Sequence, residues 1–436
     1  MSPVTHASVL RIAIPITLSN VSEPLIGVVN TAVMGRLPEP HYIGAVAIGT
    51  LIFGFLFWGF GFLRLSTSGL AAQATGAKNT SEIAVLIWRS VIIACAIGVA
   101  LIALSPWLGP VSIGLVGGSD AVMRETQTYF SYRIWTAPAA LCNYAILGWF
   151  IGQGRATTAF FTQLFLNIVN MVLSVVFVMS LGMATQGVGL AVVIAEYAAV
   201  ALGLAFVVRR LRELGVAVQW PDVLQREKFV KLIAANTDIM IRTFCLVFAF
   251  GWFVSRGARA DDVTIAANAV LLNLFEMSAF MIDGFGYAAE ALVGQSIGAR
   301  NRSNFHRAIS LSTLWAGVLG VMCGLIIWFG GPALIGLMTT NSEVQSYALQ
   351  FLPWAAIAPV LGTMCFQFDG IFTGAMATKD MRNMMVLSLV IYMACWWWLE
   401  PVYGNHGLWA ALCIFFVARG VTYAARMPSL TKAAFA

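Results

Sequence analysis

Apolar runs of about twenty residues or more recur along the whole chain. Each can cross the ~30 Å hydrocarbon layer of a bilayer as a helix rising about 1.5 Å per residue. Twelve are predicted, over roughly residues 10–36, 43–74, 83–109, 122–151, 157–182, 187–209, 228–255, 264–297, 305–330, 343–374, 383–400 and 407–427. Lipid offers no partner to a bare backbone N–H or C=O, so runs of this length fold as helices. Several exceed 25 residues and therefore tilt or project beyond the lipid. Hydrophobic residues make up 60% of the 436 and charged residues 10%, which leaves no tract with the composition of a soluble domain. The expected fold class is all-α integral membrane. Arg11 stands at the start of the first run, but that run continues to Met34 with no small-residue cleavage site, so it reads as a retained helix rather than a signal peptide.

The net charge of +6 is explained by its placement and needs no nucleic-acid partner. Lys78, Arg155, Arg209, Arg210, Arg212, Arg226, Lys228, Lys231, Arg300, Arg302, Arg307, Lys379 and Arg382 lie in or beside the even-numbered connections. Arg426 and Lys432 fall at the C-terminus. The positive-inside bias then puts the even loops and both termini in the cytoplasm. The seven Cys form no CxxC pair, and most fall within the apolar runs, as small core residues do. Four scattered His offer no zinc or haem site, and no GxSxG, HExxH, Walker A or GxGxxG stretch is present. An enzyme is not expected, and neither is a cofactor or metal.

The chain repeats itself. "LAAQATGAKNTS" (70–81) returns as "LVGQSIGARNRS" (292–303), an offset of 222 residues, and the same offset carries "GWFIG" (148–152) onto "GIFTG" (370–374). Six helices separate the copies, so both enter the membrane in the same sense. The expected architecture is two pseudo-symmetric six-helix bundles: an N-lobe over 1–212, a charged cytoplasmic linker over 213–227 and a C-lobe over 228–436. Such a pair is the frame of an alternating-access transporter with its substrate near the midplane.

Polar residues within the apolar runs mark where such a protein works, because an ionised side chain at the bilayer centre costs at least about 2.5–3.5 kcal/mol. Seven carboxylates fall there: Glu23, Glu196, Asp238, Glu276, Asp283, Glu290 and Asp369. Asp238 and Arg242 are four apart and are expected to pair on one helix face. Glu276, Asp283 and Glu290 are spaced by seven, two helical turns, and form one stripe that must face a partner helix or a wet cavity. For Asp283, ion handling and buried structural pairing weigh equally. In the first half the polar residues are mainly neutral: Asn20, Asn30, Asn143, Gln163, Asn167, Asn170 and Ser174. Glu23 lies two turns before Asn30, beside Pro24. Arg64, Trp58, Trp149, Trp252 and Met281 fall on faces that can line a pliable organic-binding cavity, although ordinary packing serves each of them as well.

"NTAVMGRL", "FLFWGFGFLRLSTSGLAAQATGAKN", "MATQGVGLAVVIAEYAA" and "DGFGYAAEALVGQSIGARN" resemble the multidrug and toxic compound extrusion (MATE) transporters, in particular their DinF-like branch. The resemblance covers nearly the whole chain. It implies two six-helix lobes and efflux of organic, often cationic, compounds against proton or sodium entry. The chain departs from that pattern where the family carries N-lobe carboxylates: Asn30 stands before "TAVMG", and the N-x-x-x-D element of the fifth helix becomes Asn170 and Ser174. An amide releases no proton at working pH. Coupling then falls to Glu23, or to Glu276 and Asp283 with Asp369, or the chain is a weakly coupled relative. Glu196 is a further coupling candidate. A flippase for lipids or lipid-linked substrates is the alternative function. Expected partners are small organic substrates and the lipid bilayer of a bacterial inner membrane, with the chain acting as a monomer.

Overall fold

The structure is a computed structural model that describes residues 2–39 and 41–436, the side chains of Glu23 and of residues 258–260 excepted. Among the described residues there is no strand, and twelve helices are long and apolar enough to span a membrane. They are α1 (His6–Met34), α2 (His41–Gly76), α3 (Thr80–Val116), α4 (Asp120–Gly152), α5 (Ala156–Ser180) and α6 (Thr185–Leu214), followed by α7 (Trp220–Gly257), α8 (Asp262–Gly298), α9 (Arg302–Met338), α10 (Ser342–Gly374), α11 (Thr378–Tyr403) and α12 (Asn405–Phe435). The number and order are those expected from the apolar runs.

Contacts divide the chain into two compact units. The first is Leu18–Ile233; the second is the N-terminal residues through Thr17 together with Ala234–Ala436. The divisions fall inside α1 and α7. In the second unit the start of α1 is fastened by Thr17 Oγ1, which donates to the Met281 carbonyl of α8 at 3.1 Å, and by Asn304 of α9, whose amide donates to the Ser2 carbonyl at 3.0 Å. In the first unit the charged stretch after α6 is tied down rather than loose. Buried Arg89 of α3 donates to the carbonyls of Val223 (3.0 Å) and Asp222 (2.5 Å) and to Glu82 at 2.6 Å, while Lys228 also pairs with Glu82.

The sequence repeat is a structural repeat. In the first unit α2 packs on α4 so closely that a Cβ on Gly148 would overlap the Arg64 carbonyl, and one on Gly152 the Ser68 carbonyl. In the second unit α8 packs on α10 in the same way, Gly370 against the Gly286 carbonyl and Gly374 against that of Glu290. Each of these eight residues stands 222 positions from its counterpart. The turns that follow repeat as well. Lys78 (φ 54°) and Arg300 (φ 51°) both adopt the left-handed conformation that ends a helix, and Asn79 and Asn301 then cap the next helix through their side chains.

Candidate functional site

In the first unit the polar interior is built along one face of α5, where Gln163, Asn167, Asn170 and Ser174 recur at intervals of three and four. Asn167, Asn170 and Ser174 are buried. Gln163 donates to Asn167 Oδ1 (3.1 Å), Asn167 donates to Ser22 Oγ of α1 (2.8 Å), and Ser174 Oγ donates to Asn170 Oδ1 (3.2 Å). Asn30 is buried on α1, and its Oδ1 accepts no hydrogen bond. All of these groups are neutral. Glu23, the carboxylate expected among them, lies outside the described side chains. Another carboxylate, Glu196 of α6, is half-buried and held from α4, where Asn143 Nδ2 donates to its Oε2 at 2.7 Å and to its backbone carbonyl at 3.1 Å.

The second unit is different in kind. Asp369 of α10 is gripped from two sides: Arg242 of α7 and Arg419 of α12 (2.6 Å) both bond its Oδ2, and the Tyr423 hydroxyl donates to its Oδ1 at 3.0 Å. Arg419 and Tyr423 are one helical turn apart, so a single face of α12 delivers both. The Arg419 side chain is 1% exposed, and its guanidinium lies 5.5 Å from the Phe415 ring centroid. Half-buried Asp283 of α8 acts electrostatically on the same Arg242.

This arrangement corrects the expected Asp238 and Arg242 pair. Asp238 instead accepts from Arg382 Nη1 at 2.6 Å and from Thr378 Oγ1 at 3.0 Å, both on α11. The i, i+4 spacing put the two residues on one face, but each found a partner on another helix, where burial strengthens the contact. The acidic stripe of α8 is graded rather than uniform: Glu276 is exposed, Asp283 half-buried and Glu290 buried.

The aromatic candidates separate too. Trp149 is fully buried and its indole N–H donates to the Ile83 carbonyl at 2.8 Å, so it is a packing residue rather than a cavity wall. Trp58 is 45% exposed. Trp252 is half-buried, edge-on to Trp396 with centroids 4.8 Å apart, and its buried indole nitrogen has no hydrogen-bond partner. Asn20, Arg64 and Met281 are half-buried. Sequence reasoning missed Arg419, Tyr423 and Arg382. The signal for Arg419 was available, since it is a cation within an apolar run just as Arg242 is.

The MatE family model matches residues 15–176 and 239–398. The chain is 37% identical over 415 residues to the DNA damage-inducible protein F of Escherichia coli K12, across 95% of this chain and 90% of that protein. It is 24% identical to a probable multidrug resistance protein NorM of Idiomarina loihiensis, across 95% and 91%. Similar solved structures include a MATE in a bent conformation (TM-score 0.88, 17% identity, 98% of this chain and 97% of that one). A MOP superfamily transporter from Pyrococcus furiosus is also similar (TM-score 0.87, 16% identity, 98% and 96%). With the family model covering both halves and a full-length relative at 37% identity, the chain belongs to the MatE family and is a multi-pass membrane transporter, not an enzyme.

Proposed function

We propose that this transporter exports organic compounds, amphipathic or cationic, from a bacterial cytoplasm across the inner membrane by alternating access. Entry of protons, or of sodium, drives the export. Both termini are cytoplasmic in this reading, and the name of the NorM relative, a probable multidrug resistance protein, supports efflux. The observation that carries the coupling is the contrast between the two interiors. The buried group on α5 and α1 is neutral, whereas the second unit sets Asp283 beside an arginine already engaged with Asp369. Asp369 is held by two guanidinium groups and the Tyr423 hydroxyl. Asp283, half-buried and within the electrostatic reach of Arg242, is the coupling residue in this reading.

In proteoliposomes, Asp283→Asn should abolish fluorescent-cation transport driven by a pH gradient while leaving counterflow of the same cation intact. Retained uphill transport would reject Asp283. A second reading, a weakly coupled transporter, is favoured by the buried Asn30 Oδ1 that accepts no bond. Asn30→Asp would then raise uphill transport, and unchanged rates would count against it.

A further inference from the structure

The C-terminal end of α6 carries Arg209, Arg210 and Arg212, and Arg155 from just before α5 joins them around one carboxylate, Glu213. Arg155 (2.9 Å) and Arg210 (3.3 Å) both reach Glu213 Oε2, and Arg209 lies 3.5 Å from Oε1, leaving the cluster, with Arg212, at a net charge of +3. Running up to this cluster is an open surface hollow of about 730 Å³ lined by Ala201, Leu204, Ala205, Val208, Arg209, Arg212 and Glu213. These positions recur at three and four, so they occupy one outward face of α6. The two alanines make the hollow. Ala201, Ala205, Val208, Arg209 and Arg212 are exposed among the described residues. A spanning helix places such a face in lipid, with its arginine end at the depth of the headgroups.

We propose that this groove is a binding site for one anionic phospholipid, its phosphate on Arg209 and Arg212 and an acyl chain along Ala201, Leu204, Ala205 and Val208. Charge complementarity selects the occupant. A zwitterionic lipid brings its own cation, which a cluster of net charge +3 repels. The apolar length of the groove requires an acyl chain, which free phosphate lacks. Glu213 also lines the hollow, but its carboxylate is engaged by Arg155, Arg209 and Arg210, which leaves Arg212 and the outer edge of Arg209, whose side chain is 78% exposed, for the phosphate.

The test is native mass spectrometry of the full-length protein titrated with phosphatidylglycerol, with phosphatidylcholine and with inorganic phosphate. A juxtamembrane guanidinium near an anionic lipid is worth about fivefold in affinity, so the double variant Arg209→Gln with Arg212→Gln should bind phosphatidylglycerol roughly 25-fold more weakly. Ala205→Phe fills the hollow without altering charge and should weaken phosphatidylglycerol binding as well. Exposed Arg307→Gln, on α9, should leave it unchanged. Equal losses with Arg307→Gln would mean diffuse attraction to basic surface and would overturn the site. Retention of phosphatidylcholine as tight as that of phosphatidylglycerol, or displacement of phosphatidylglycerol by inorganic phosphate, would also overturn it.

Discussion

Asp369 shows how an ionised side chain survives inside the second unit. Alone it would be a buried charge. With Arg242, Arg419 and Tyr423 its oxygens are bonded from two further helices. Breaking such a pair from one side costs about 3–5 kcal/mol, because the remaining charge stays buried. Arg419→Leu should therefore lower the thermal unfolding midpoint in detergent by several degrees, and adding Arg242→Leu, which leaves Asp369 without a guanidinium, should lower it further. An equal loss in the double variant would mean that the contact is incidental. The same physics explains the mistaken Asp238 pairing. An i, i+4 pair on an exposed helix contributes only about 0.2–0.5 kcal/mol, less than a buried bond from another helix. Spacing identified both residues as charges needing partners and could not choose the partners.

Among the elements, the contact between α8 and α10 and its copy between α2 and α4 set how closely backbones approach. Without a hydrophobic drive between helices in lipid, close packing of small residues holds such pairs together. Gly370→Ala would push a methyl group into the Gly286 carbonyl, and overpacking of this kind costs about 1–3 kcal/mol. Gly336→Ala on α9 meets nothing within 4 Å and should be neutral or slightly stabilising by helix propensity. Thermal unfolding of the two variants compares them directly, and equal midpoints would refute the role given to the close approach. The segment after α6 also changes character at this scale. Its composition suggested a linker, but Arg89 bonds the carbonyls of Asp222 and Val223 and makes it part of the first unit.

Over the whole molecule the two units share a scaffold and differ in charge. The offset of 222 holds for the glycine contacts, the left-handed turns and the asparagine caps. It does not hold for the acids: Glu276, Asp283 and Glu290 answer to Gly54, Gly61 and Ser68. A proton-coupled exporter of this form should release protons when substrate is added to purified protein in weakly buffered solution. Asp283→Asn should suppress that release more than Glu23→Gln if coupling belongs to the second unit, and the opposite order would return it to α1. The sequence by itself determined the twelve spans, the duplication and the family, because hydrophobic length, period and motif order are local properties that lipid and helix geometry read directly. Which carboxylate meets which arginine, that Trp149 is packing, and that the acidic stripe grades from exposed to buried were decided by tertiary structure. A buried charge selects its partner across helices through distance and dielectric, and neither exists until the helices have packed.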